Sequence, residues 1–162
     1  MPGPKTGHRM KMYRNTGTYT TPVWSLVSEV GDVNIPDLNR GMAELKRRAS
    51  DFTKNLATLI QSIAIEFTMP SGLGITTWSA MKTNFFAGTA EEWAIMDGDI
   101  SAGMGAEGLR CPVLIENFPW NQPLEEVAGF DIRLVCAYWE SPQGTERDPV
   151  WYSVSSTTTT TT

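Results

Sequence analysis

Histidine and cysteine are nearly missing from this chain, with one His and two Cys in 162 residues. A single histidine gives no basis for a multi-histidine metal site, and two cysteines cannot complete a Cys-based zinc cluster by themselves. Charge is also sparse, at 19% of residues, and its balance is acidic, with a formal net charge of −5. Proteins that grip nucleic acid through its phosphates concentrate Lys and Arg on one face, and this composition argues against that class. Long apolar runs are absent, and the opening "MPGPKTGHRMKMYR" has no apolar signal core. The expectation is therefore a soluble protein with no export signal and no membrane partner. What is present is apolar material for a core: 41% hydrophobic and 10% aromatic residues, including six Trp. The length fits one domain, read here as residues 1–154 with a loop extension at 32–54, followed by a Thr-rich tail at 155–162 that offers no core residues.

Most of the sequence alternates, which is the signature of half-buried strands. "HRMKMYR" puts His8, Met10 and Met12 on one face, and "NTGT" at 15–18 supplies a turn before the extended "PVWSLVSEV". In "LATLIQSIAIEFTM", read as one strand, Ile63, Ile65, Phe67 and Met69 share a face opposite Glu66 and Thr68. Pro70, Gly72 and Gly74 stop it, and the period then changes. Ile75, Trp78, Met81, Lys82, Phe85 and Phe86 recur at helical spacing until Gly88, which predicts one helix of about three to four turns. "EEWAIMDGDI" returns to strand, the glycine-rich "DISAGMGAEG" reads as a hairpin loop, and "LRCPVLIENF" and "GFDIRLVCAYWE" are the last two long strands. On the final strand Phe130, Ile132, Leu134, Cys136 and Tyr138 face one way, and the other face is too apolar to be simply solvated. The fold class is mainly β: a sandwich or barrel of roughly six to eight strands with one flanking helix and a long inter-strand loop.

No catalytic constellation assembles from these residues, and the chain is read as non-enzymatic, with no metal and no cofactor. His8 has no Ser, Cys or Asp at a motif spacing. Asp97 and Asp99 flank a glycine as tight turns do, and further calcium-loop ligands are missing. "GMGAEG" at 103–108 is followed by a strand rather than a strand-to-helix crossover, which excludes a dinucleotide loop. Glu125 and Glu126 read as solvated loop charges. Cys111 and Cys136 lie in apolar alternating runs and read as buried free thiols, with a disulfide between facing strands as the alternative. Trp78 and Trp93 fall on core positions, whereas Trp120, Trp139 and Trp151 fall in loops or on second faces. Exposed tryptophans of that kind leave two classes open, a protein interface or a glycan-binding sandwich module.

The segment "DVNIPDLNRGMAELKRRASDF" (32–52) has no apolar stripe to bury, yet from Arg40 to Lys54 it carries Arg40, Lys46, Arg47, Arg48 and Lys54 against Glu44 and Asp51. That is +3, which leaves −8 on the rest of the chain. A basic arm on an acidic body is self-complementary between copies, and a contact repeated head to tail gives rings or filaments.

"GHRMKMYRNTGTYTTPVWSLVSEVGDV", the long connection, "LATLIQSIAIEFTM", the helix, "AIMDGDI", "GLRCPVLIENF" and "QPLEEVAGFDIRLV" together resemble, in order and spacing, the tail tube (major tail) proteins of long-tailed bacteriophages. The resemblance covers most of residues 7 to 140. It implies a β-sandwich with a flanking helix, six copies closing a ring, and rings stacking into a hollow tube through which DNA passes. Its implied partners are other copies, the tape measure and terminator proteins, and DNA only as passing cargo. Its implied place is the virion tail, assembled in the host cytoplasm. The long loop of such proteins reaches the neighbouring ring, the role the charges give to Arg40, Glu44, Lys46, Arg47, Arg48 and Lys54; "MAELKRRA" is richer in apolar and basic residues than that pattern. Tubes of this kind tend to have acidic inner walls, for which Glu116 and Asp131 are the candidates, with Arg110 and Arg133 on the same alternations.

Overall fold

The structure is a computed structural model that describes residues 10–28, 30–31, 33–34, 40–45, 54–60, 63–70, 76–100, 105–118, 120–121 and 129–154. Strand β1 (Lys11–Asn15) turns back into β2 (Trp24–Leu26). Asn15 makes that turn. Its Oδ1 accepts from the N–H groups of Gly17 at 2.8 Å and Val23 at 2.9 Å, and its Nδ2 donates to the Thr18 carbonyl at 3.0 Å. A side chain at residue 17 would meet the Thr21 carbonyl oxygen at 2.5 Å, so the predicted turn needs its glycine for close approach.

The remaining strands are β3 (Val33–Asn34), β4 (Arg40–Leu45), β5 (Lys54–Ile60), β6 (Ala64–Pro70), β7 (Glu91–Met96), β8 (Glu107–Asn117), β9 (Trp120–Asn121), β10 (Gly129–Cys136) and β11 (Val150–Ser153). Nine of the eleven form an antiparallel sheet in the order β2-β1-β7-β8-β10-β6-β3, with β11 also on β8 and β9 also on β10. β8 joins its two halves. One edge of β8 pairs with β7 from Gly108 to Val113, while the other meets β11 from Glu107 to Arg110 and then β10 from Val113 to Asn117. Pro112 falls between those two partners, the one place on that edge where a missing N–H leaves no ladder bond unmade, and its carbonyl accepts from the Ala137 N–H at 3.0 Å.

The inward alternation is as the sequence predicts. Ile63, Ile65, Phe67 and Met69 meet Phe130, Ile132 and Leu134 from one half, and Met12, Trp93, Ile95, Leu109, Cys111 and Val113 from the other, in one buried cluster. Helix α1 (Thr76–Ala87) closes it, burying Met81 and laying Trp78 at 5.2 Å from Phe130, with Phe85 stacked on Phe118 at 5.8 Å. Gly88, at φ +62°, ends the helix in a Schellman motif, with Gly88 N–H to Phe85 O at 3.3 Å and Thr89 N–H to Asn84 O at 3.1 Å. Phe86 departs from its predicted place in the helical stripe and is 81% exposed, while Met81 is buried and Trp78 and Phe85 pack on Phe130 and Phe118. Among the described residues, no helix is long and apolar enough to cross a membrane.

Four expectations need correction. "LATLIQSIAIEFTM" is two strands, β5 and β6, in different sheets. Eleven strands are present among the described residues rather than six to eight; the excess is in β2, β3, β9 and β11, each of four residues or fewer, too short to show a period. β7 is buried on both faces, since a second cluster of Tyr13, Ala94, Met96, Ile100 and Ala106 lies behind it, covered by Trp24, Tyr152 and Val154. Ala106 and Gly108, read from sequence as loop, are buried: a Cβ on Gly108 would collide with the Ile95 carbonyl.

Candidate assembly surfaces

In the loop extension, β4 forms a β-ribbon with β5, the strand that starts at the extension's last residue. β4 and β5 pair antiparallel as a separate two-stranded sheet, and among the described elements neither packs on any other. Its register continues that of β3 and β6. The residue numbers of each pair add to 100 at Val33–Phe67, Asn34–Glu66 and Arg40–Ile60, then to 99 from Met42–Ala57 to Leu45–Lys54 after a bulge between Arg40 and Met42. Arg40, Met42, Ala43, Glu44 and Ala57 are exposed, Met42 at 64%. A two-stranded ribbon is marginal alone in water, and one that exposes methionine has apolar surface to bury elsewhere. Of the candidate contact residues, Arg40 and Glu44 lie on β4 and Lys54 begins β5; Lys46, Arg47 and Arg48 lie outside the described residues.

The second surface is the open face of β8, β10 and β6. Alternation opposite the core sends Glu66 and Thr68 of β6, Asp131 and Arg133 of β10, and Glu116 of β8 to this side, all exposed. Register sets Glu66 beside Arg133 and Thr68 beside Asp131. Arg133 holds Glu66 through Nε at 3.2 Å and Glu116 through Nη1 at 2.7 Å. A groove of about 320 Å³ runs between Glu66, Thr68, Asn117, Asp131 and Arg133, floored by Phe67 and Ile132. Three carboxylates against one guanidinium give this face a formal charge of −2. Glu116 and Asp131, predicted from sequence, do share it. Glu66 was missed as a wall residue; its alternation was legible, but the pairing of β6 with β10 was not.

Arg110 is not on that face. It is 7% exposed in the other half of the sheet, where its Nε donates to Glu92, itself 1% exposed, and its Nη2 donates to the Tyr19 carbonyl at 2.7 Å. Glu92 also accepts from Asn15 Nδ2 at 2.6 Å. The guanidinium lies over Tyr19 at 4.0 Å, Tyr152 at 5.1 Å and Trp24 at 5.4 Å. Tyr19 takes a second guanidinium, Arg147, at 3.9 Å, and the edge of Trp139 at 6.2 Å. This cluster ties the first hairpin to the C-terminal strand.

The remaining sequence candidates have structural places. Asp97 Oδ1 accepts from the Glu107 N–H at 2.8 Å, and Asp99 pairs with Lys11 at 3.3 Å, which accounts for the "DGD" turn. Among the described residues, no group of three His, Cys, Asp or Glu side chains is placed to hold a metal. Cys111 and Cys136 are free thiols, and burial pushes Cys111 up to about 12. Trp24, Trp78 and Trp93 pack inside, Trp139 lies against Tyr19, and Trp151 is 63% exposed on β11 with its Nε1 donating to Glu107 at 3.3 Å. Those five therefore make no common sugar platform. His8, Glu125 and Glu126 lie outside the described residues, as does the side chain of Trp120.

No family model and no curated protein sequence matches the chain. Solved structures do. The tail of an empty gene transfer agent particle, refined with C6 helical symmetry, superposes with a TM-score of 0.63 over 83% of this chain and 95% of that one, at 12% identity. The SPP1 tail tube gives 0.62 over 82% and 76%, at 15% identity. A chain of an extracellular contractile injection system, from the PVC sheath–tube complex in its extended state, gives 0.63 over 93% of each chain, at 11% identity. With an antiparallel sheet, one flanking helix among the described residues and a separate two-stranded ribbon, the chain has the fold of the tail tube proteins.

Proposed function

We propose that this chain is a structural tail tube protein that assembles into hexameric rings, stacked as a hollow tube through which DNA passes. The observation that carries the reading is the likeness to tubes of three kinds of particle over at least 82% of the chain. The ribbon adds support of its own, because β4 and β5 pack on no other described element, Met42 on β4 is 64% exposed, and the basic run falls between the two strands in sequence. In this reading residues 1–154 act as one unit, the ribbon at 32–54 reaches the next ring through Arg40, Glu44, Lys46, Arg47, Arg48 and Lys54, and the face of Glu66, Glu116 and Asp131 lines the bore. The partners are further copies, a tape measure protein in the bore and a terminator at its end, with DNA as cargo. Its place is the virion, after assembly in the host cytoplasm.

No catalysis is assigned. Electron microscopy of the purified protein at rising concentration tests the proposal: rings or tubes of constant diameter are expected. A chain that stays monomeric and is retained on a polysaccharide column would overturn it.

A further inference from the structure

The bore reading leaves one residue unexplained. A wall past which DNA slides is best without guanidinium, since each Arg or Lys that reaches a phosphate adds counterion-release affinity. Arg133 stands in the middle of the acidic face at 45% exposure. Its surroundings answer the difficulty. Glu66 holds its Nε from one neighbouring strand and Glu116 holds its Nη1 from the other, at 3.2 and 2.7 Å. The pairs are set by backbone register, because Glu66 is directly opposite Arg133 on β6 and Glu116 precedes its β8 partner Asn117.

We infer that Arg133 is a masked phosphate-binding cation, and that Glu66 and Glu116 together keep this face from holding a polyanion such as duplex DNA. The inference rests on the bore reading for its biological sense but not for its chemistry. Exposed ion pairs contribute little to stability, so the bracket adds little to folding. What it does is take one donor on each of the two edges that would otherwise make a charge-assisted fork with phosphate, and it places two negative charges within a few ångströms of any approaching backbone. Asp131 adds charge to the face without touching Arg133 in either pair.

The test uses the unassembled full chain, in which this face is open, on a column of immobilised duplex DNA at about 50 mM salt, where such contacts are strong. The parent and Asp131→Asn flow through. The double variant Glu66→Gln/Glu116→Gln is retained, with roughly tenfold or more bound DNA, and is released when salt is raised fourfold. Adding Arg133→Gln to that double variant restores flow-through. Circular dichroism confirms that each variant is folded. If the double variant flows through, or the triple variant is retained as strongly as the double, the bracket is not what prevents binding. Asp131→Asn retained as well as the double would also overturn it, since general charge would then suffice. Cryo-electron microscopy of parent tubes decides the bore separately: this face on the outer wall removes that reading and leaves the column result to decide the bracket.

Discussion

Arg110 and Glu92 are the side chains whose solvation is hardest to replace. Both ions are buried, and each is held by its partner plus neutral groups: Tyr19 O and three aromatic rings around Arg110, and Asn15 Nδ2 on Glu92. Removing one ion strands the other. Arg110→Met is expected to cost about 3–5 kcal/mol in urea denaturation, while Arg110→Met with Glu92→Gln costs clearly less because no charge is left unpaired. A loss equal in both variants would show that shape, not charge, is what the cluster supplies. Cys111 gives a pH signature. Its folded pKa is raised from 9.0 to about 12 by burial, so the fold favours the neutral thiol. The stability that the buried neutral thiol contributes is fully present below pH 9 and is lost as pH rises from 9 towards 12, at roughly 1 kcal/mol per pH unit, because only the unfolded chain gives up the proton. Cys111→Ala should flatten that decline in denaturant titrations, and the native thiol should resist alkylation until the chain unfolds.

At the scale of elements, the ribbon is the part with the clearest test. Reversing Arg47 and Arg48 to Glu changes the connection between β4 and β5 and no member of the buried clusters, so the melting temperature is expected to hold while stacking is blocked at low and physiological salt. Polymerisation equal to the parent at both salts would exclude an electrostatic role, since exposed contacts of this kind weaken beyond a Debye length of about 8 Å. Shortening the ribbon by the matched pairs Ala43–Leu56 and Glu44–Asn55 removes about 7 Å and keeps every remaining residue on its face. Microscopy should then show rings without tubes. A variant that stacks normally would mean the ribbon's reach is not used.

The elements also show where sequence reasoning stops. Ile63 to Met69 and Phe130 to Leu134 were legible because one face is buried and the other is wet, which writes period two into the residues. The break between β5 and β6 was not, because no Gly or Pro marks it and Leu56, Leu59 and Ile60 continue the apolar composition into a ribbon that needs cover from elsewhere. β11 hides for a different reason: four residues beside a Thr tail carry no period. Arg110 could not be placed, because the groups that bury it come from residues 19, 24 and 152. Glu116 and Asp131 were found from alternation alone, whereas the bracket on Arg133 required the register of three strands.

At the scale of the whole molecule, the charges divide in a way that suits assembly and passage together. In sequence the basic run falls between β4 and β5, while the open face of β6, β10 and β8 is net negative. The assembled parent tube is therefore expected not to bind duplex DNA at about 150 mM salt, although DNA is its proposed cargo. A gel shift that retains DNA and weakens with salt would favour a true nucleic-acid partner over a passive conduit. β8 adds a mechanical consequence. Because the same eleven-residue strand carries β7 and β11 at one end and β10 at the other, tension between the two halves of the sheet passes along peptide bonds and not only across hydrogen-bonded edges. Pulled from the two halves, the chain has to shear whole ladders from β8 before it can open at Pro112, so load passes through covalent backbone while the fold keeps its shape.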